Sequence, residues 1–283
     1  KKQISSPIIL LRDHKMLLKK VDDLTLKNIN FSYKKNFSSQ KILENFNYVI
    51  KKGKFTSIIG PSGSGKTSLL KLIAGLNQCD SGQIKFENKS TEDLNKYITL
   101  VQQNTSLMPW LNVRENIQFG KLNKNKSFVD KLINDIGLEG FAEYYPHQLS
   151  GGLAQRAVIA RAILFEPKLL LLDEPFAALD NLSREMISIE LVSLIKKKSM
   201  TVIMVTHSIE EAALLSDEVL VTGITPISVV KKFIPPKNKG GLTWQKLGLR
   251  KSLENNDFRA YIKLIRDASY QVLKRKLDFE KQK

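Results

Sequence analysis

Cysteine is nearly absent: Cys79 stands alone in 283 residues. A single thiol forms no internal disulfide, so the fold must rest on its core, and nothing calls for an oxidising compartment. Long apolar runs are missing too. The N-terminal patch Ile8–Leu11 is closed by Arg12 and Asp13, far short of the roughly 18 residues that cross a bilayer and too short for the core of a secretory leader. Cytosol is therefore the expected compartment, and action at a membrane is expected to run through a partner. No internal repeat is apparent, so a repeat architecture is not indicated. Acidic residues are scarce: 28 against 45 Lys and Arg, a net charge of +17. Lys231–Lys283 holds 15 basic and 5 acidic residues, more than half of that surplus. Such an excess could attract nucleic acid, anionic lipid or a phosphorylated ligand, but it suits solvated lysine-rich surfaces better.

What is present is enough apolar material, 42% of residues, for one substantial α/β domain and a smaller appendage. Leu26–Tyr33 alternates as a half-buried strand does. Asn45–Ile50 repeats the habit after Lys34–Gln40, which reads as a polar, flexible connection. Phe55–Ile59 is a short apolar run that ends at Gly60, and Ser68–Leu76 follows with helical spacing. Leu169–Leu172 and Thr201–Val205 are further strand-length runs, with a helical stretch, Asn181–Ile195, between them. Strands alternating with helices predict a mainly parallel sheet covered on both faces. From about Asn104 to Phe165 no strand pattern occurs, which predicts a helical insertion. Thr225–Gly241, with Pro226, Pro235, Pro236, Gly240 and Gly241, reads as an irregular connection. Beyond it Phe258, Ile262, Ile265, Val272 and Leu273 recur at helical spacing, predicting an amphipathic helix that folds back on the domain or meets a partner.

Gly60, Pro61, Ser62, Gly63, Ser64, Gly65, Lys66 and Thr67, followed by Ser68, fit the pattern G-x-x-x-x-G-K-[ST] between a strand and a helix. Glycines let backbone N–H groups converge on phosphates without Cβ atoms in the way. The helix adds its unpaired N-terminal donors, Lys66 a mobile positive charge, and Thr67 a hydroxyl for Mg²⁺. Leu169–Leu172 runs into Asp173-Glu174-Pro175. A carboxylate at a strand end can hold hydrated Mg²⁺ opposite Thr67, the role expected of Asp173. Glu174, one residue on, is placed to take a proton from an attacking water. His207 follows strand Thr201–Val205 and should emerge at the same sheet edge, near a γ-phosphate.

Leu149-Ser150-Gly151-Gly152 opens a helix through Gln155-Arg156 to Ala160-Arg161-Ala162. This resembles the signature motif of the ATP-binding cassette (ABC) family, and the family's other motifs follow in order from about Leu26 to Val221. The resemblance implies an α/β P-loop NTPase core with a mainly parallel sheet, an antiparallel β subdomain near the N-terminus and an α-helical subdomain insertion. The expected division is an N-terminal extension (1–25), an ATPase domain (26–230, helical part about 104–165) and a basic C-terminal extension with a terminal helix (231–283). Tyr33 matches the aromatic that stacks on adenine. Gln103 matches the glutamine of the loop to the helical part, a further Mg²⁺ contact. Ala178-Leu179-Asp180 matches the loop that meets the opposite subunit, and His207 the switch histidine. By the same resemblance Ser150, Gly151, Gly152 and Asp180 act in trans, closing over ATP held by a second ATPase subunit, expected as a copy of the same chain. Leu153 stands where the family often has Gln.

Leu107-Met108-Pro109-Trp110-Leu111-Asn112-Val113-Arg114-Glu115-Asn116 resembles the L-[LM]-P-W-L-x-V-x-x-N stretch of importer ATPases for nitrate, sulfonates and taurine. Pro175-Phe176-Ala177-Ala178-Leu179-Asp180 is close to the P-F-G-A-L-D of that branch, with Ala177 for Gly. On its own, Pro109-Trp110 also reads as the anchor of a buried turn. The branch implies an ATPase subunit at the cytoplasmic face of the inner membrane, transmembrane permease subunits as partners, and an extracytoplasmic substrate-binding protein. The rival reading is a cassette acting on nucleic acid or ribosomes. Lys66 and Ser150 lie only 84 positions apart with no heptad array between, so no nucleic acid partner is expected.

Overall fold

The structure, a computed structural model, describes residues 23–35, 38–87, 89–90, 96–103, 106–121, 125–177, 179, 181–237 and 244–281. Two sheets organise it. The first is antiparallel, in the order β2-β1-β4-β5: β1 (Leu24–Lys35), β2 (Ser38–Ile50), β4 (Ser81–Phe86) and β5 (Lys89–Ser90). The second has six strands in the order β10-β9-β3-β8-β7-β6: β3 (Phe55–Ile59), β6 (Ile98–Val101), β7 (Leu169–Asp173), β8 (Thr201–Val205), β9 (Glu218–Thr222) and β10 (Val229–Phe233). Its pairings are parallel from β9 to β6, and only β10 runs antiparallel, against β9.

The two-residue period of a strand divides the core. Leu170, Leu172, Val202, Met204, Val219 and Val221 face one side, while Leu169, Leu171, Ile203, Val205 and Leu220 face the other. On the second side lies α1 (Lys66–Ile73), whose Leu69, Leu70, Leu72 and Ile73 fill the space between the parallel sheet and the antiparallel one. The first side is covered by helices. Between β6 and β7 come α2 (Val113–Gln118), α3 (Lys126–Asp135), a 3-10 turn at Pro146–Gln148 and α4 (Gly151–Leu164), with no strand among the described residues of that stretch. There follow α5 (Asn181–Lys197), α6 (Ile209–Leu215), α7 (Trp244–Leu253) and α8 (Asn256–Lys281).

Several expectations change in detail. Lys34–Gln40 is not simply a connection: the ladder continues through Tyr33↔Gln40, Lys34↔Ser39 and Lys35↔Ser38. Polar side chains at a solvated strand end mimic a loop. The alternation expected for β1 and β2 is also interrupted, because Asn28 and Asn45 adopt positive φ and shift the register. Asparagine tolerates that region. Here the backbone N–H of Asn28 donates to Asn47 Oδ1 at 2.9 Å, and that of Asn45 to Asn30 Oδ1 at 2.9 Å, so side-chain amides replace lost ladder bonds. Within Thr225–Gly241, Val229–Phe233 is a strand, running across the expected junction at 230/231. Pro235 and Pro236 follow its end rather than interrupt it. Residues 1–22, Ala178, Asp180, Gly240 and Gly241 lie outside the described residues.

The terminal helix folds back. Phe258, Tyr261, Ile262, Ile265, Ala268 and Val272 of α8 are buried, whereas Leu273 is left exposed. Phe258 is fully buried, with its ring 4.7 Å from that of Trp244 between centroids, and the Trp244 indole N–H donates to the Pro236 carbonyl at 2.8 Å. Phe258→Ala should therefore cost about 3–5 kcal/mol of stability, as for large buried aromatics. Denaturant unfolding checks this. A loss below about 1 kcal/mol, within the range of ordinary surface substitutions or little beyond it, would contradict α8 as part of the core.

Candidate functional site

The parallel register sets the ends of β3, β8 and β7 side by side, with Ile58 opposite Val205 and Val205 opposite Asp173. The segments that leave these strands therefore emerge along one edge, the usual ligand edge of an open α/β sheet. Leaving β3, the chain turns at Gly60, where an added Cβ would stand 2.2 Å from Thr222 Oγ1, itself donating to the Ile59 carbonyl at 3.1 Å. Gly65 adopts φ 100°, and a Cβ there would meet Ile42 Cγ2 at 2.7 Å. Both positions need glycine for backbone shape and clearance. Gly65 caps α1 without any side-chain hydrogen bond. The unpaired N–H groups of the first helical turn are therefore left to the loop's ligand.

Lys66 curls back into this loop. Its ammonium donates to the carbonyls of Gly60 at 2.9 Å and Pro61 at 2.7 Å, and lies 3.4 Å from Ser64 Oγ. Burial pushes its pKa down to about 8, against the opposing pull of Glu174 and Asp173, and Lys276 adds to the lowering. The Thr67 hydroxyl donates to Asp173 Oδ1 at 3.2 Å. Burial raises the Asp173 carboxyl above its ordinary value, and the Thr67 hydrogen bond partly offsets this.

Glu174 is the centre of the polar edge. Gln103 Nε2 donates to its Oε2 at 3.2 Å, and His207 Nε2 lies 2.7 Å from its Oε1. Its φ of 48° is in the left-handed region, and its N–H donates to Val205 O at 2.9 Å, which ties the turn after β7 to the end of β8. Tyr33 stands on the other flank of α1: Ser68 Oγ donates to its hydroxyl at 3.3 Å, while the Tyr33 ring packs edge-on against Phe31. The structure thus gathers Tyr33, Gly60–Ser68, Gln103, Asp173, Glu174 and His207 around one loop. Ser150, Gly151 and Gly152 stand apart. Ser150 caps α4 by accepting from Leu153 N at 3.3 Å, Gly152 packs closely on Leu179, and no hydrogen bond joins them to the loop among the described residues.

A family profile described as ABC transporter matches residues 43–177. An aliphatic sulfonates import ATP-binding protein of Bacillus thuringiensis is 36% identical over 231 residues, which is 79% of this chain and 92% of the relative. The chain belongs to the ABC transporter family. A spermidine/putrescine import ATP-binding protein of Clostridioides difficile is 42% identical over 196 residues, 66% of this chain and 56% of the relative. A solved dimeric cassette, described as a post-hydrolysis state bound to ADP and Pi, aligns with a TM-score of 0.66 at 31% identity. That alignment covers 75% of this chain and 99% of the solved one. This ABC ATPase thus carries the P-loop fold on which its motifs depend, and none of its described helices is long and apolar enough to cross a membrane.

Some parts of the cassette's site lie outside the residues that the sequence motifs single out. Below His207, the Thr206 hydroxyl donates to Glu211 Oε2 at 2.6 Å, and Ser208 caps α6 by accepting from Glu211 N. Burial raises the Glu211 carboxyl, with the Thr206 bond opposing. Together these groups hold the turn that carries His207. Thr222 supports Gly60 from β9, a strand not expected at all. An acid three residues past a helix-capping serine was the available clue to Glu211.

The Lys66 ammonium gives a pH dependence. A phosphate ligand favours its charged form, and in the free protein that form is lost as pH rises through about 8. Phosphate groups are already ionised there, their second pKa being near about 6. ATP affinity, measured by calorimetry, should hold below about pH 7 and weaken above about pH 8, approaching tenfold per unit where binding must take up a proton. Constant affinity up to about pH 9.5 would contradict the assignment of Lys66, whose free value is near 10.4.

Proposed function

We propose that the chain is the ATP-hydrolysing subunit of an importer. Two copies close on two ATP molecules and drive separate transmembrane permease subunits, which receive a small solute from an extracytoplasmic binding protein. Lys66, Ser68 and the backbone N–H groups of Ser62–Thr67 hold the phosphates, and Tyr33 takes the base on its exposed face. Glu174 accepts the proton of the attacking water, His207 and Gln103 orient its carboxylate, and Ser150, Gly151, Gly152 and Asp180 complete the site of the other copy. The single observation that carries this reading is the Glu174 carboxylate. It is held from both sides by Gln103 and His207, one residue from the Thr67–Asp173 pair.

Magnesium fits the donors present. Thr67 and Asp173 offer two hard oxygen groups in contact, and Mg²⁺ commonly takes one or two protein oxygens, completing its shell with waters and substrate phosphates. When bound, the ion neutralises charge on the phosphates. Gln103 lies close enough to Glu174 to share that polar edge.

Import is supported by the stretch Leu107–Asn116 and by the likeness to import ATP-binding proteins. Asn116 is fully buried and stitches this loop together: its Nδ2 donates to the carbonyls of Met108, Leu111 and Asn112, while Met108 N donates to its Oδ1. Trp110 is left 68% exposed on the outside, so it is not the anchor of a buried turn. An exposed indole on a rigid loop suits the cytoplasmic helix of a permease, placing the subunit peripherally at the cytoplasmic face of the inner membrane. The two import relatives are named for solutes of opposite charge, an organic anion and polyamines. The Leu-Met-Pro-Trp loop favours the nitrate, sulfonate, taurine or vitamin-precursor class.

Replacing Glu174 by Gln tests the assignment. Phosphate release by the assembled transporter should fall by about 10²-fold or more, with ATP affinity nearly unchanged. Turnover retained within a few-fold would remove Glu174 from the role of base.

A further inference from the structure

The buried stripe of α8 does not stop at its last apolar residue. Ile265, Ala268 and Val272 lie on the packed face, and one helical turn beyond Val272 the same face presents Lys276. There the helix has run past the hydrophobic core and reached the phosphate loop. The Lys276 ammonium donates to the carbonyl of Ser62 at 3.1 Å. Three successive carbonyls of the loop are thus in contact with two ammonium groups, those of Gly60 and Pro61 with Lys66 and that of Ser62 with Lys276. The two cations lie close enough for Lys276 to disfavour the charge on Lys66.

Two like charges brought onto one loop repel each other, and an anion bound between or beside them relieves that repulsion while gaining from both. The lysine stem is long and flexible, with three donors on its end. Lys276 can keep one hydrogen bond to Ser62 and direct another to a phosphate oxygen. Packing of α8 through Phe258, Ile265 and Val272 fixes where the stem starts, so only the side chain, and not the backbone, has to be ordered on binding. We propose that Lys276 is a second cationic contact for the nucleotide's terminal phosphates, through which the C-terminal helix takes part in ATP binding. The proposal rests on the reading of Gly60–Thr67 as the phosphate site and adds to it a residue from outside the family's motifs.

The full-length chain tests it, with ATP and AMP as calorimetric probes. AMP shares the base and sugar but has no terminal phosphates. Lys276→Ala should weaken ATP binding about tenfold, the scale of one charge-assisted hydrogen bond, and leave AMP binding within about twofold. Lys276→Arg should retain most of the ATP affinity, since it keeps the charge. ATP affinity that is unchanged or tighter in Lys276→Ala overturns the proposal, a tighter value identifying Lys276 as a latch on the loop. An equal loss for ATP and AMP also overturns it, because a merely structural role weakens both. Lys66→Ala is the control: if it binds ATP like the unmodified chain, the failure lies with the phosphate loop itself and not with Lys276.

Discussion

A triphosphate can be gripped only where donors and charges from several chain segments reach the same small volume. In this protein the in-register parallel ladder of β3, β8 and β7 provides that meeting point. Because Ile58, Val205 and Asp173 stand level across the three strands, the loop after β3, the acids closing β7 and the histidine after β8 share one edge. A slip of one residue in any of these pairings would turn every side chain of that strand to the other face. Two separate cores guard against it, since alternate residues of β7 and β8 are committed to opposite sides of the sheet.

The polar edge carries costs that the surrounding packing holds in place. Lys66 is buried with its charge opposed by burial and supported by the two acids. Glu174 adopts a left-handed backbone conformation, which costs a non-glycine residue about 1–2 kcal/mol. Its N–H bond to Val205 and its side-chain contacts with Gln103 and His207 offset that strain. The same conformation separates neighbouring roles: Asp173 keeps to Thr67, and Glu174 turns to the histidine. Adjacent carboxylates therefore act in different surroundings without needing different strands.

Much of this was legible in the chain because short motifs encode backbone requirements. Gly60 and Gly65 announce a turn where only glycine fits, and the apolar runs of β3, β7 and β8 are continuous because both faces are covered. Other features escaped for physical reasons. The half-polar β4 and β10 bury few of their residues, so alternation there is weak. The bulged β1–β2 pair breaks its period at asparagines whose side chains replace ladder bonds. A Pro-Trp pair suits a buried anchor and an exposed contact alike; here the buried Asn116 holds the loop from inside and leaves Trp110 exposed. Lys276 sits 214 positions from the Ser62 carbonyl it touches, and only packing of α8 brings the two together.

Ser150, Gly151 and Gly152 remain the part of the cassette for which the protomer offers no ligand. They form a helix cap and make no bond to their own phosphate loop among the described residues. On the proposed reading, ATP held at Gly60–Thr67 is covered by this cap from a second copy, an arrangement with two-fold symmetry and two equivalent sites. Amide hydrogen exchange of the chain, with and without ATP and Mg²⁺, tests that claim most directly. The account predicts slower exchange at Gly60–Thr67 together with concentration-dependent slowing at Ser150–Leu153. Slowing confined to Gly60–Thr67 at every protein concentration, with ATP saturating, would contradict it.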